Sequence, residues 1–128
     1  DMLKEKYGMD AEVIDARTVS PFNYSLVAES VKKTGRILLA SDACERGSHL
    51  KDMAATISEL CFDYLDAPAV VVGARNWITP AADYEKSFFP QPSWILDAIH
   101  QKIVPLKGHV ANMSFTDGET IRLNKLGV

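Results

Sequence analysis

The stretch Arg36-Ile37-Leu38-Leu39-Ala40-Ser41-Asp42-Ala43-Cys44-Glu45-Arg46-Gly47-Ser48-His49 decides the fold class. Its first five residues form a largely apolar run without alternation. That is the pattern of a strand covered on both faces, as in a parallel sheet flanked by helices. A polar loop, Ser41 to Ser48, comes next. Ser48 is placed to cap a helix from His49 to about Leu65, in which Leu50, Met53, Ala54, Ile57, Leu60, Cys61 and Tyr64 recur at helical spacing as one broad buried stripe. Ala67-Pro68 breaks that helix, and Ala69-Val70-Val71-Val72 supplies another strand of the buried type.

Working outward toward the N-terminus, Gly35 stops a helix over Tyr24 to Lys33 that Asn23 is suited to cap. Its apolar set is Leu26, Val27, Ala28 and Val31, and Lys32 and Lys33 complement its negative end. Ala11 to Asp15 is a short strand candidate with β-branched residues at its centre. Met2 to Tyr7, closed by Gly8, has the character of the last turns of a helix, so the chain is expected to be a piece of a longer one. Toward the C-terminus, Pro92 opens a helix through about Val104 with Ile95, Leu96, Ile99 and Ile103 inward. Past Pro105, two strand-like runs around Asp117-Gly118 (Met113 to Thr116 and Glu119 to Leu123) predict a β-hairpin. The alternation predicts an α/β fold: a three-layer α/β/α arrangement on a mostly parallel sheet over residues 1–105, with 106–128 as a hairpin tail.

Composition agrees with one globular unit. The chain has 128 residues, 47% of them hydrophobic and 24% charged, with a net charge of −3. Such a chain buries roughly two-thirds of its unfolded surface and needs no staple. The acidic balance argues against nucleic acid or an anionic membrane as partner, and no apolar run reaches bilayer length. Cys44 and Cys61 have no metal or disulfide spacing, so an intracellular, reducing setting is expected.

Chemistry-bearing residues concentrate in the loop from Ser41 to His49. Cys44, His49 and Asp42 or Glu45 could make a nucleophilic constellation. Arg46, Gly47 and Ser48 at a helix start could hold an anion or a nucleotide phosphate. The plainer reading is a polar loop with a capping serine. His100 sits at the edge of the last helix, His109 lies in the tail, and neither has metal-ligand spacing. Asp15 and Arg17 suit a short-range ion pair. Glu59, Asp63 and Asp66 run along the end of the long helix, as a solvated face or one awaiting a basic partner. Trp77, Phe88, Phe89 and Trp94 exceed what a loop needs and point to part burial, part interface.

Four segments in order, Ala11 to Phe22 (AEVIDARTVSPF), Ser30 to Leu39 (SVKKTGRILL), Phe62 to Pro68 (FDYLDAP) and Phe89-Pro90-Gln91 with Ile95 to Ile99, resemble one family. It is the C-terminal transketolase-like domain of the beta subunit of thiamine-diphosphate-dependent 2-oxo acid dehydrogenases of the pyruvate, branched-chain or acetoin type. The resemblance covers residues 1 to about 104. It implies a domain without its own active site, packed against a second beta subunit and an alpha subunit. Thiamine diphosphate and Mg are then held elsewhere in the parent enzyme, which decarboxylates a 2-oxo acid and passes the acyl group to lipoamide. It further implies docking of the basic subunit-binding domain of the dihydrolipoyl acyltransferase, with Asp66, Glu59 and Asp63 as the candidate residues. The location implied is cytoplasmic, or the mitochondrial matrix in a eukaryote.

The chain departs from the family pattern at Ser41-Asp42 and Arg46-Gly47-Ser48-His49, where relatives usually carry a His-Glu pair and a glycine-rich turn. The family's first two strands are also expected to be missing, leaving strand edges to pair with each other, with the tail or with a second copy of the chain. Two rival readings stay open: an anion- or nucleotide-binding regulatory module built on the Arg46 loop, and a small hydrolase using Cys44 and His49.

Overall fold

The computed structural model describes residues 1–113. Two parallel strands, β1 (Leu38–Cys44) and β2 (Val70–Ala74), form the sheet. Five helices surround or extend it: α1 (Met2–Tyr7), α2 (Tyr24–Thr34), α3 (His49–Leu60), the single turn α4 (Glu85–Phe88) and α5 (Pro92–Lys102). No helix among the described residues is long and apolar enough to cross a membrane. The expected hairpin, from Met113 to Leu123, lies beyond the described residues apart from its first residue.

All five residues of β2 are buried, and they divide between two cores. Val71, with Leu39 of β1, packs against Val27 and Val31 of α2 and Leu50, Met53, Ala54 and Ile57 of α3. Val70 and Val72 face the other way, onto Ala98 of α5 with Leu38, Trp94, Ile95 and Ile103 around them. Successive strand residues point to opposite faces, so helices on both sides require apolar residues throughout. That is the layered α/β architecture expected from the two apolar runs, on a sheet of two strands.

The first expected strand is absent. Ala11 to Ser20 are all exposed, with Val13 at 91%, and they pair with no strand. An extended segment becomes a strand only when its backbone groups find a ladder. Here side chains tether the segment elsewhere. Glu12 accepts hydrogen bonds from Ser30 Oγ at 2.6 Å and from Lys33 Nζ, both on α2. A cleft of about 250 Å³, lined by Ile14, Asp15, Ala16 and Val19 opposite Ala40, Ser41 and His49, separates it from β1 and α3. Arg17 Nε does meet Asp15 Oδ2 at 2.8 Å, as the spacing suggested.

β1 starts later and runs further than the apolar run predicts, so Ser41 to Cys44 is strand and not loop. Leu38, Leu39 and Ala40 lie opposite Val70, Val71 and Val72, but Cys44 is next opposite Ala74. Four steps along β1 thus match two along β2, a bulge. Gly73 makes the detour fit: a Cβ there would lie 2.6 Å from the Ala43 carbonyl oxygen and 2.7 Å from the Glu45 nitrogen.

α2 follows its sequence closely. Asn23 accepts from the Leu26 N–H at 3.3 Å, and Gly35 ends the helix at φ 68°. Leu26, placed in its core by sequence, is half exposed. α3 stops at Leu60, short of Leu65, and a 3-10 turn at Phe62–Tyr64 replaces its last residues. Three residues per turn in place of 3.6 rotate the stripe past Cys61, so Tyr64 faces solvent while Cys61 stays buried; Leu60, the last residue of α3, is also exposed. On α5 the fully buried residues are Leu96, Asp97 and Ala98, while Ile95, Ile99 and Ile103 lie at the margin. Of the aromatic group, Phe88 is buried, and Trp77, Phe89 and Trp94 are half-buried.

Candidate functional site

The loop after β1 leads into the N-terminus of α3. Cys44 is half-buried and its thiol donates to the Arg75 carbonyl at 3.5 Å, not to His49, which is exposed. The pair required for a Cys-His nucleophile is therefore not brought together. Arg46 is exposed, and its backbone N–H donates to Asn76 Oδ1 at 3.2 Å. Gly47 turns the chain at φ 69°. Ser48 occupies the cap position, yet its side chain makes no capping bond and its Oγ is buried without a partner. Glu45, next to Arg46 in sequence, is paired with Lys51 at 3.2 Å.

The acidic residues lie where α3 ends, at the opposite end of the sheet from that loop. Glu59, Asp63 and Asp66 are all exposed. Leu60 and Phe62 stand beside them, 57% and 79% exposed, and Lys32 of α2 lies 5.2 Å from the centre of the Tyr64 ring. Asp66 has a second duty. Its N–H donates to the Gly35 carbonyl at 2.8 Å, and its carboxylate rests on Gly35, with Oδ2 2.4 Å from where a Cβ would stand. The three candidates are thus all open to solvent along the stretch that ends α3, with Leu60, Phe62 and Lys32 also exposed there.

A third cluster escaped the sequence reading. Asp97 is the one charged residue in the fully buried set of the described chain. Its Oδ1 lies 2.7 Å from His109 Nε2, and its Oδ2 accepts from the backbone N–H groups of Asn112 and Met113 at 3.1 and 3.0 Å. His109 Nδ1 lies 2.6 Å from the Tyr7 hydroxyl. The signal for it was a carboxylate between Leu96 and Ala98 on an apolar helix face, since a buried charge demands partners. Nothing local could have named those partners.

The model of the transketolase C-terminal domain matches residues 1–95. The chain belongs to the transketolase C-terminal domain family.

Within that family the chain is similar to beta subunits of 2-oxo acid dehydrogenases. It is 36% identical over 96 residues to the pyruvate dehydrogenase E1 component subunit beta of Rhizobium meliloti, covering 74% of the chain and 21% of that protein. It is likewise 36% identical over 104 residues to the mitochondrial 2-oxoisovalerate dehydrogenase subunit beta of Dictyostelium discoideum, covering 81% of the chain and 28% of that protein. A chloroplastic pyruvate dehydrogenase E1 subunit beta-2 of Arabidopsis thaliana matches at 37% over 95 residues, 73% of the chain and 23% of its own length. The chain thus spans about a quarter of the length of these relatives. The transketolase C-terminal match takes in β1, β2, both acidic and loop faces and the start of α5, and ends two residues before Asp97.

Proposed function

We propose that this transketolase C-terminal domain serves in a 2-oxo acid dehydrogenase beta subunit as an assembly and docking domain. In the parent enzyme a 2-oxo acid is oxidatively decarboxylated and its acyl group passed to lipoamide. This domain packs against a second beta subunit and the alpha subunit. Its face at the end of α3 receives the basic subunit-binding domain of the dihydrolipoyl acyltransferase. The observation that carries the reading is that Glu59, Asp63 and Asp66 are exposed along the stretch that ends α3, with the apolar Leu60 and Phe62 exposed between them in sequence. Charge there would steer a basic module, and the apolar side chains would hold it.

Thiamine diphosphate and Mg belong to the parent enzyme in this reading. Among the described residues, no group of three or more His, Cys, Asp or Glu is arranged to hold a metal ion.

Calorimetric titration of the assembled dehydrogenase component with a basic subunit-binding domain tests the docking face. Glu59→Lys and Asp63→Lys are each expected to weaken binding about tenfold, with the effect shrinking at high salt. Unchanged affinity in both variants overturns the docking assignment. Asp66→Asn is the less clean variant, because Asp66 also seats Gly35.

A further inference from the structure

The buried cluster on α5 holds together three segments that are remote in sequence. Asp97 belongs to α5, Tyr7 to α1, and His109 to the segment after Pro105. A carboxylate accepts only, so the His109 hydrogen facing Asp97 sits on Nε2, and Nδ1 of the neutral ring accepts from the Tyr7 hydroxyl. A second imidazole lies next to the first, with ring centres 5.1 Å apart. This is His100, one helical turn after Asp97, and its Nδ1 accepts the backbone N–H of Leu106 at 2.8 Å. Leu106 is 2% exposed, so this bond seats an apolar anchor in the core.

We propose that His100 forms an acid-sensitive latch holding Leu106, and with it residues 105–113, onto α5, beside the Tyr7–His109–Asp97 bonds that tie α1 to the same helix. In the neutral pair every ring nitrogen facing a described partner has the role that partner needs. Protonation of His100 puts a hydrogen on Nδ1, where it confronts the Leu106 N–H, donor against donor. The bond is lost, Leu106 loses its seat, and the segment is freed. Protonation of His109 acts differently, because it keeps the Asp97 bond and turns Tyr7 from donor to acceptor.

Among the described residues, Tyr7 from α1 and Asp97 from α5 bond His109, and Arg75, just past β2, lies over Trp94 of α5 and donates to Met113 Sδ at 3.4 Å. Lys102 and Lys107 are the nearest lysines along the chain. β2, packed on α5, carries no titratable side chain. The latch involves none of the residues of the docking face, so it stands or falls independently of the function proposed above.

Amide hydrogen exchange on the full chain, with imidazole nitrogen NMR, tests the latch. Between pH 8 and an acidic pH at which the NMR shows the His100 ring protonated, protection of the Leu106 amide, corrected for intrinsic exchange, is expected to fall at least tenfold. The Val71 amide in β2 should keep its protection. In His100→Gln, whose side-chain oxygen still accepts but does not titrate, Leu106 should stay protected at both pH values. Leu106 protection that is flat with pH in the wild-type chain, or that follows His109 titration instead, overturns the proposal. Should the Gln variant not fold, the wild-type comparison of Leu106 with the two ring titrations decides alone.

Discussion

Gly35 meets two demands at once. Its φ of 68° lies in the left-handed region, and the Asp66 carboxylate occupies the space a side chain would take. Gly35→Ala should therefore destabilise the chain by about 1–3 kcal/mol from backbone strain alone, with a further loss from displacing Asp66. Adding Asp66→Ala should recover the second part and leave the first. Denaturant unfolding of the two variants separates the contributions. A Gly35→Ala chain as stable as the parent would show that the turn tolerates a side chain. The same contact bears on docking, since a partner drawing Asp66 outward would also pull on the turn between α2 and β1.

Elements that carry their own instructions were legible in the sequence. Asn23 and Gly35 bracket α2 through local hydrogen bonding and local φ, and the apolar runs at Leu38–Leu39 and Val70–Val72 gave both strands. Elements that depend on a distant partner were misjudged. Val13 and Ile14 have strand propensity, but the ladder they need is absent, and Glu12 ties the segment to α2 instead. Lys33, with Ser30 behind it, holds the Glu12 carboxyl below its ordinary value of 4.5. A carboxyl depressed in the fold adds stability above its unfolded value and loses it as pH falls through the folded one. Attachment of residues 11–20 should therefore be constant from pH 7 to about pH 5 and loosen below the ordinary value. Limited proteolysis across that range should show cleavage near Val13 rising in acid. Glu12→Gln should be cleaved readily throughout, and equal resistance of the two chains would contradict the tie.

At the scale of the molecule, candidate sites differed in legibility for a physical reason. The acidic stretch at the end of α3 is contiguous in sequence, so the exposure of Glu59, Asp63 and Asp66 was legible there, while their candidacy for docking came from the family resemblance. The Tyr7–His109 contact closes a gap of 102 residues, and no periodicity reports a contact of that kind. The loop at Arg46 shows the converse: neighbours in sequence, Cys44 and His49, do not meet through their side chains, in keeping with the plainer reading of that loop. Proximity along the chain is a poor guide where a bulge and a helix start intervene.

β2 is the wall between two compartments, with Val71 on one side and Val70 and Val72 on the other. It has no slack to give, because Gly73 already lies hard against the backbone of β1. Material removed from one compartment should then be felt in the other. Val71→Ala and Val72→Ala should each cost about 2 kcal/mol. Although the two side chains sit in separate cores, their effects should depart from additivity by about 0.5–1 kcal/mol. Strict additivity in the double-mutant cycle would mean that the two halves relax independently. Crosstalk would make the thin sheet a conductor: packing on the α5 side would be read at the α2 and α3 side, across the thickness of a single strand.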